Sequence, residues 1–165
     1  MKKISFIWVF LLSMSAFVSC EKEEIDKEKP QIDIDFEGAF PQNCATVYFG
    51  VPFEVKTLFR DNVELGSYRI DIHHNFDHHS HSTEVSECTP DPVKEAVNPY
   101  VFIQDYPLPG GQEEFLTALS ITLPASNDKG PFEDGDYHFM ITLTDKQGWS
   151  TQKGLSIKIR HQEPK

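Results

Sequence analysis

The chain has 165 residues, a formal net charge of −11 and 39% hydrophobic residues. This is enough for one globular domain with a core and too little for two domains of ordinary size. A surface this acidic repels phosphate backbones, which excludes nucleic acid as a partner. Thirteen Phe, five Tyr, eleven Pro and nine Gly favour strands and turns over helices.

The first nineteen residues have the pattern of an export signal. Met1-Lys2-Lys3 is a basic start, and residues 4–18 form an apolar stretch shorter than the roughly 20 residues that a membrane span needs. The stretch ends in Phe17-Val18-Ser19-Cys20, which resembles a bacterial lipobox, where the Cys thiol receives a lipid before cleavage. We predict a lipoprotein signal peptide over residues 1–19 and a lipid on Cys20. The alternative is an ordinary signal peptide in which Cys20 is incidental.

An acidic tether is predicted over residues 20–29. Residues 21–29 contain four Glu, one Asp and three Lys, with Ile25 the only apolar residue. An acidic run directly after a lipidated Cys resembles the surface-export signal of Bacteroides-group lipoproteins. We therefore expect an outer-membrane lipoprotein exposed at the cell surface. If the run serves only solubility, the domain faces the periplasm instead.

The rest of the chain, residues 30–165, is predicted to be an immunoglobulin-like antiparallel β-sandwich of about seven or eight strands. Apolar and polar residues alternate in eight segments: 31–36, 46–49, 53–58, 65–74, 100–103, 116–123, 137–143 and 149–159. Residues 75–98 have no steady period, so we expect a long His- and Cys-containing insertion loop with one helical turn near residues 93–97. The expected inward residues are Tyr68, Ile70, Ile72, Tyr137, Phe139, Ile141, Leu143, Leu155, Ile157 and Ile159.

Five of the seven His residues lie within nine positions, from His73 to His81. Neutral imidazole is a good ligand for zinc or copper, and a nearby Asp can add an oxygen. His79 and His81 are two residues apart, so on an extended segment their side chains project to the same face. A bend anchored by a buried Phe76 would bring His73 back over them. The predicted metal ligands are His73, Asp77, His79 and His81, with His78 as a substitute.

Other roles for these His residues stay open. A His-rich surface loop can bind metal without a biological role. The rings can form a hydrogen-bonded network around Asp71 and Asp77. They can also act as a pH switch, because several imidazoles gain protons together below about pH 6.5 and would then release a metal. His74 lies on the same face of its predicted strand as Ile70 and Ile72, so it is expected to pack at the rim of the sandwich.

Once Cys20 carries a lipid, Cys44 and Cys88 are the two Cys residues left. In an exported protein such a pair most simply forms a disulfide. This bridge would hold the loop after the His residues against the first part of the domain. The rival role for Cys88 is that of a thiolate metal ligand. The sequence has no Cys-x-x-Cys motif, which disfavours a redox catalyst.

The remaining polar and aromatic residues give weaker signals. Trp149 is expected in the core, and three residues are expected at the surface: His138, Met140 and His161. Four carboxylates in turns are expected to be solvated rather than bound to calcium, because their spacing is not that of an EF-hand: Asp61, Asp134, Asp136 and Asp145. No Gly-x-Ser-x-Gly, His-Glu-x-x-His or P-loop motif occurs. No Glu is evident as an activator of metal-bound water, so we predict a protein that is not an enzyme.

Residues 65–81 contain the pattern Ile-His…Phe-Asp-x-His-x-His, present as Ile72-His73, Phe76-Asp77, His79 and His81. Together with four shorter stretches, it resembles the small Bacteroides-group lipoproteins of domain-of-unknown-function family 4625, over roughly residues 29–159. The four stretches are Asn43-Cys44, Cys88-Thr89-Pro90-Asp91-Pro92, Gln104-Asp105-Tyr106 and Gly135-Asp136-Tyr137-His138-Phe139. The resemblance implies an exported β-sandwich lipoprotein and implies no activity.

These observations predict an outer-membrane lipoprotein that binds zinc or copper through the His/Asp loop. It would pass the metal, or a ligand that carries it, to an outer-membrane receptor. The alternative is an adhesion or interaction module that binds a protein or glycan partner through the same loop.

Overall fold

The computed structural model describes residues 26–84 and 88–163. The predicted signal peptide, Cys20 and the first part of the predicted tether lie outside these residues. Asp26, which the sequence placed in the tether, is buried against the domain, and its carbonyl oxygen accepts a hydrogen bond from the Trp149 indole at 3.0 Å. In the described parts of the chain, no helix is long and apolar enough to cross a membrane.

The described residues form twelve strands. Their bounds are β1 Gln31–Asp33, β2 Thr46–Tyr48, β3 Phe53–Val55, β4 Leu58–Arg60, β5 Leu65–His74, β6 Phe102–Pro107, β7 Glu114–Leu116, β8 Leu119–Ile121, β9 Ser126–Asn127, β10 Gly130–Pro131, β11 Gly135–Asp145 and β12 Ser150–Arg160. The main sheet has the order β2-β12-β11-β5-β6, in which only the β2–β12 pair is parallel. The other sheets have the orders β1-β4-β7, β3-β8 and β9-β10.

One apolar core joins the main sheet to the shorter strands. Every second residue of β5, β11 and β12 points into it, as the alternation predicted, and Ile70, Tyr137 and Leu155 are fully buried. Phe59 of β4 and Ile121 of β8 belong to the same buried cluster. Burial of one such side chain stabilises the fold by about 1.5–3 kcal/mol. The structure therefore confirms an all-β antiparallel sandwich.

Two predicted strands are divided by paired Thr residues. Residues 53–58 contain β3 and the first residue of β4, and residues 116–123 contain the last residue of β7 and all of β8. Between them the Thr117 hydroxyl accepts a hydrogen bond from the Thr57 amide at 2.8 Å and donates one to the Val55 carbonyl at 2.9 Å. A buried side chain replaces part of the backbone ladder here, which alternation alone does not reveal.

Three other expectations were wrong. No helical turn forms at residues 93–97, because the amides of Val97 and Asn98 donate to the Glu133 carboxylate at 2.8 and 2.6 Å instead of to a helical carbonyl. Trp149 is 43% exposed, since it lies outside the core beside Asp26. His161 is half-buried, because its ring packs against Phe49 at 4.8 Å and bonds the Phe132 carbonyl.

Candidate metal centre

The bend after β5 is fixed by Phe76. As expected, this ring is buried, and it packs edge-on against Tyr137 of β11 with the ring centroids 5.4 Å apart. It also lies against Gly135, where a Cβ would overlap the Phe76 ring. The Asn75 amide donates to the Asp136 carbonyl at 2.8 Å. The chain therefore turns back, and residues 77–84 lie over the outward face of β11 and β12.

Residues 81–84 are fastened to β12 around Gly154. The Thr83 amide donates to the Gly154 carbonyl at 2.9 Å, and the Gly154 amide donates to the Thr83 hydroxyl at 3.1 Å. Lys153 forms an ion pair with Glu84 at 2.6 Å. A Cβ at Gly154 would overlap the carbonyl oxygen of His81. The close approach of the His81 backbone to β12 therefore requires glycine at this position.

Three imidazoles meet between the end of β5 and this segment. His73, His79 and His81 each contribute one ring nitrogen, and the three nitrogens lie within 4.8 Å of one another. His73 Nε2 is 3.2 Å from His81 Nδ1. Two nitrogen ligands of tetrahedral zinc lie about 3.3 Å apart, because each Zn–N bond is about 2.0–2.1 Å long. The spacing of these two nitrogens is therefore close to that of a zinc site. We call these three residues the histidine cluster.

Two carboxylates fix the orientation of the rings. His73 Nδ1 bonds Asp71 Oδ1 at 2.8 Å, and His79 Nδ1 bonds Asp77 Oδ1 at 2.6 Å. Each Nδ1 donates its proton to a carboxylate, so Nε2 of each ring carries the lone pair. The hydrogen bond from His79 lowers the pKa of Asp77, which keeps this carboxylate ionised. The sequence placed Asp77 among the ligands, whereas here it supports His79.

His138 lies under the histidine cluster, and its expected surface position was wrong. It is 1% exposed, and its ring centroid is 5.0–5.4 Å from those of His73, His79 and His81. Its Nε2 donates to the His79 carbonyl at 3.0 Å, whereas its buried Nδ1 has no hydrogen-bond partner. Burial lowers its pKa to about 4, so the ring is neutral at pH 7.

Residues 77–84 explain why the outward face of β11 is not solvated. His138 and Met140 alternate with the core residues of that strand, as the sequence indicated. The returning loop covers both side chains, and Met140 is only 6% exposed. The alternation along β11 correctly predicted that both side chains lie on the outward face. It could not predict that a distant segment covers this face.

The other two His residues of the stretch are not part of the histidine cluster, although the His74 ring lies 6.4 Å from that of His79. His74 packs against Phe76 with the ring centroids 5.0 Å apart, in agreement with the expected packing at the rim. His78 has a positive φ of 58° and directs its Nε2 toward Asp136 Oδ2 at 3.7 Å. The predicted substitute ligand therefore faces away from the other three rings.

Cys44 and Cys88 form the predicted disulfide, with an S–S distance of 2.05 Å. Cys88 is therefore not a thiolate ligand. The Cys44 amide also donates to the Ser156 carbonyl of β12 at 2.7 Å. The bridge thus joins the far end of the insertion loop to the same sheet that carries the histidine cluster.

The comparison with known families agrees with the resemblance described above. A protein-family model with the description "Domain of unknown function (DUF4625)" matches residues 18–160. No curated protein matches the chain. Because the family match spans most of the sequence, the chain belongs to the DUF4625 family of domains of unknown function.

Proposed function

We propose that this chain is a lipid-anchored binding protein that holds a transition metal, most simply zinc, at His73, His79 and His81. The observation that carries the proposal is the convergence of three imidazole nitrogens, two of them on rings oriented by carboxylates. Metal-ligating His residues commonly donate their second ring nitrogen to a carboxylate in this way.

The donor set favours a borderline metal. Three neutral nitrogens suit zinc or copper and suit magnesium or calcium poorly, because the latter prefer oxygen. The His73 and His79 side chains are 23% and 33% exposed, and His81 is exposed. A metal on three protein ligands keeps an open position for a further ligand. Such a site is suited to exchange of metal, or of a ligand that carries it, with an outer-membrane receptor.

The proposal is one of binding rather than catalysis. A metal-bound water becomes a nucleophile most readily when a free carboxylate stands beside it as a base. Asp71 and Asp77 are both engaged by ring nitrogens, and Glu84 is paired with Lys153. The carboxylates nearest to the histidine cluster therefore already have partners.

The location of the protein belongs to the same proposal. The lipobox-like residues 17–20 and the acidic run after Cys20 support an outer-membrane lipoprotein at the cell surface. Metabolic labelling of cells with a palmitate analogue tests the anchor. We expect incorporation that is lost in Cys20→Ala. Protease treatment of intact cells tests the side of the membrane, since a surface-exposed domain is degraded and a periplasmic domain is protected.

Metal binding is tested with the full chain in detergent. After chelator treatment and removal of the chelator, zinc and copper are titrated separately, and bound metal is measured by elemental analysis. We expect one equivalent of metal. His79→Ala and His81→Ala should weaken binding by more than about 100-fold, beyond the 10–100-fold loss that follows removal of an outer partner.

His78→Asn is the matched control. It removes an imidazole from the same segment without touching the histidine cluster, and Asn tolerates the positive φ of this position. We expect it to bind metal like the unaltered chain. Equal losses in His78→Asn and His79→Ala would mean non-specific binding by a His-rich loop and would overturn the proposal. So would the absence of binding at micromolar free zinc and copper, a result that favours the adhesion module instead.

A further inference from the structure

Three Asp residues from distant parts of the sequence meet at the other end of β5 and β11. Asp26 precedes β1, Asp61 follows β4, and Asp145 ends β11. One carboxylate oxygen of each lies within 4.8 Å of the other two. We call these residues the carboxylate cluster. Asp145 was expected in a solvated turn, but it is 4% exposed, and Asp26 is 6% exposed.

One oxygen of each carboxylate is held by hydrogen-bond donors. Asp145 Oδ1 accepts from the amides of Gly148 and Trp149 at 2.6 and 2.8 Å. Asp61 Oδ2 accepts from the amides of Val63 and Glu64 at 3.0 and 2.8 Å. Asp26 Oδ1 accepts from the Glu28 amide and the Asn62 side chain, both at 2.9 Å. These bonds fix the three carboxylates in place.

The second oxygen of each carboxylate is buried without a partner. Asp26 Oδ2, Asp61 Oδ1 and Asp145 Oδ2 are inaccessible to solvent and accept no hydrogen bond. A buried carboxylate oxygen that lacks a partner is costly, and native proteins seldom contain three together. The lack of a partner for these three oxygens is an observation separate from the closeness of the carboxylates. It indicates that a cation is the missing partner.

No side-chain cation fills this role among the described residues. Lys146, the nearest in sequence to Asp145, pairs with Glu64 at 3.8 Å instead. None of the ion pairs within residues 26–84 and 88–163 includes a member of the carboxylate cluster. The hydrogen bond from Asn62 lowers the pKa of Asp26, which favours its ionised form. Close carboxylates of like charge repel one another unless a proton or a metal ion lies between them.

We propose that Asp26, Asp61 and Asp145 bind a calcium ion through their three unpartnered oxygens. Calcium takes six to eight oxygen ligands in flexible geometry, and carboxylates are its usual protein ligands. Magnesium demands a near-ideal octahedron and gives up its water reluctantly, so it suits this set of fixed oxygens less well. The oxygen-only donors also separate this site from the nitrogen donors of the histidine cluster.

The ion would fasten the N-terminal segment to the domain. Asp26 is the first described residue, and it belongs to the predicted tether of residues 20–29 that leads from Cys20. Asp61 and Asp145 belong to turns of the folded core. Calcium would therefore clamp the membrane-side end of the chain to the two turns and shorten the free part of the tether.

Terbium provides a direct test, because it binds calcium sites and its luminescence is excited by a nearby indole. The Trp149 indole nitrogen lies 3.0 Å from the Asp26 carbonyl oxygen. We expect the full chain in detergent to sensitise terbium, and calcium to displace it at about 10⁻⁴–10⁻³ M, the range of extracellular calcium modules. Trp149→Phe should remove the signal, and calorimetry on the unaltered chain measures calcium binding directly.

Asp145→Asn separates a calcium ligand from a structural carboxylate. The Asn oxygen can still accept from Gly148 and Trp149, while the amide group replaces the buried, unpartnered Oδ2. In chelator we expect this variant to melt no lower than the unaltered chain, since one repelling charge is gone. In saturating calcium the unaltered chain should gain about 4 °C in Tm, and the variant should gain nothing.

Two further variants locate the effect. Asp128→Asn removes an exposed carboxylate elsewhere and should leave the calcium response intact. His79→Ala should also retain it, so failure of the zinc site would not affect this result. Trypsin cleavage at the exposed Lys27 and Lys29 should slow in calcium. The proposal is overturned if the full chain binds no calcium up to about 10 mM, or if Asp145→Asn lowers Tm equally with and without calcium.

Discussion

The histidine cluster and the carboxylate cluster occupy opposite ends of the same strand pair. His73 of β5 pairs with His138 of β11 near one end, and Leu65 pairs with Asp145 at the other. His138 and Asp145 are seven positions apart on an extended strand, or about 24 Å at about 3.4 Å per residue. The two clusters are therefore too far apart to share a ligand, and each can be tested without disturbing the other.

The two clusters differ in how the chain builds them. Two of the three residues of the histidine cluster come from one short loop, and the cluster is partly open to solvent. The carboxylate cluster draws each member from a different part of the chain and is largely buried. Open sites exchange their ligands readily, whereas buried sites that join distant segments hold a fold together. The comparison favours an exchangeable bound metal at the histidine cluster and a stabilising ion at the carboxylate cluster.

The largest expected effect comes from the disulfide, which lies on the side of the histidine cluster. Replacement of Cys44 and Cys88 by Ser frees a loop of about 45 residues in the unfolded chain, which corresponds to about 4 kcal/mol of unfolding free energy. Denaturant titration in chelator measures this loss. Zinc affinity should also fall, because the loop end near the cluster is released, while calcium affinity stays. An unchanged unfolding free energy would contradict this prediction.

A smaller effect is expected from the burial of His138. Its pKa is about 4 in the folded chain and about 6.5 when unfolded, so between these values the unfolded chain binds a proton that the folded chain excludes. The unfolding free energy should be highest above pH 6.5. It should decrease as the pH drops toward 4, by at most about 3 kcal/mol. Burial is the main cause of this low pKa, and coulombic repulsion from His73, His79 and His81 lowers it further.

His138→Leu isolates the contribution of this ring. Denaturant titrations in chelator at pH 7, 6, 5 and 4 should give a shallower pH dependence for the variant than for the unaltered chain. Comparison of the two curves cancels the protonation of other groups that both proteins share. Parallel curves would show that His138 does not carry the dependence.

Local patterns predicted four of the five strands of the main sheet to within two residues at each end, whereas β6 begins two residues later and ends four residues later than the predicted segment 100–103. The alternation over residues 65–74 gave both ends of β5 correctly, because a strand with one buried face repeats every two residues. The disulfide followed from the number of Cys residues, and Phe76 was correctly assigned as a buried anchor. The His residues stood out because they are neighbours in the sequence.

Features that depend on distant segments could not be predicted in this way. His138 is buried by residues 77–84, about 60 positions earlier in the chain. Its outward position in the alternation of β11 therefore predicted an exposed side chain, which was wrong. Asp26 and Asp145 are 119 positions apart, and nothing near either residue in the sequence indicates their meeting. The ligand role predicted for Asp77 stays a prediction, because the sequence does not distinguish a carboxylate that binds metal from one that orients an imidazole.

Two Gly residues offer a matched pair of perturbations, one at each cluster. A Cβ at Gly154 would overlap the His81 carbonyl, and a Cβ at Gly66 would lie 2.6 Å from the Asp145 carbonyl oxygen. Gly154→Ala and Gly66→Ala should each cost about 1–3 kcal/mol, as overpacking does elsewhere. We expect the first to weaken zinc binding alone and the second to weaken calcium binding alone, both measured by calorimetry. Loss of both metals in either variant would mean that the two ends of the strand pair are coupled.

The smallest expected effect distinguishes the two roles considered for Asp77. This carboxylate is exposed and bonds His79 Nδ1 at 2.6 Å. In Asp77→Asn the side-chain oxygen can still accept that hydrogen bond but carries no charge. If Asp77 only orients and polarises His79, zinc affinity should fall about tenfold, the lower end of the range for an outer partner. Tm in chelator and calcium affinity should not change. Competition with a chromogenic zinc chelator measures the difference, with Asp128→Asn as the control. A loss as large as that of His79→Ala would instead make Asp77 a ligand, which the loop can supply only by turning the carboxylate away from His79.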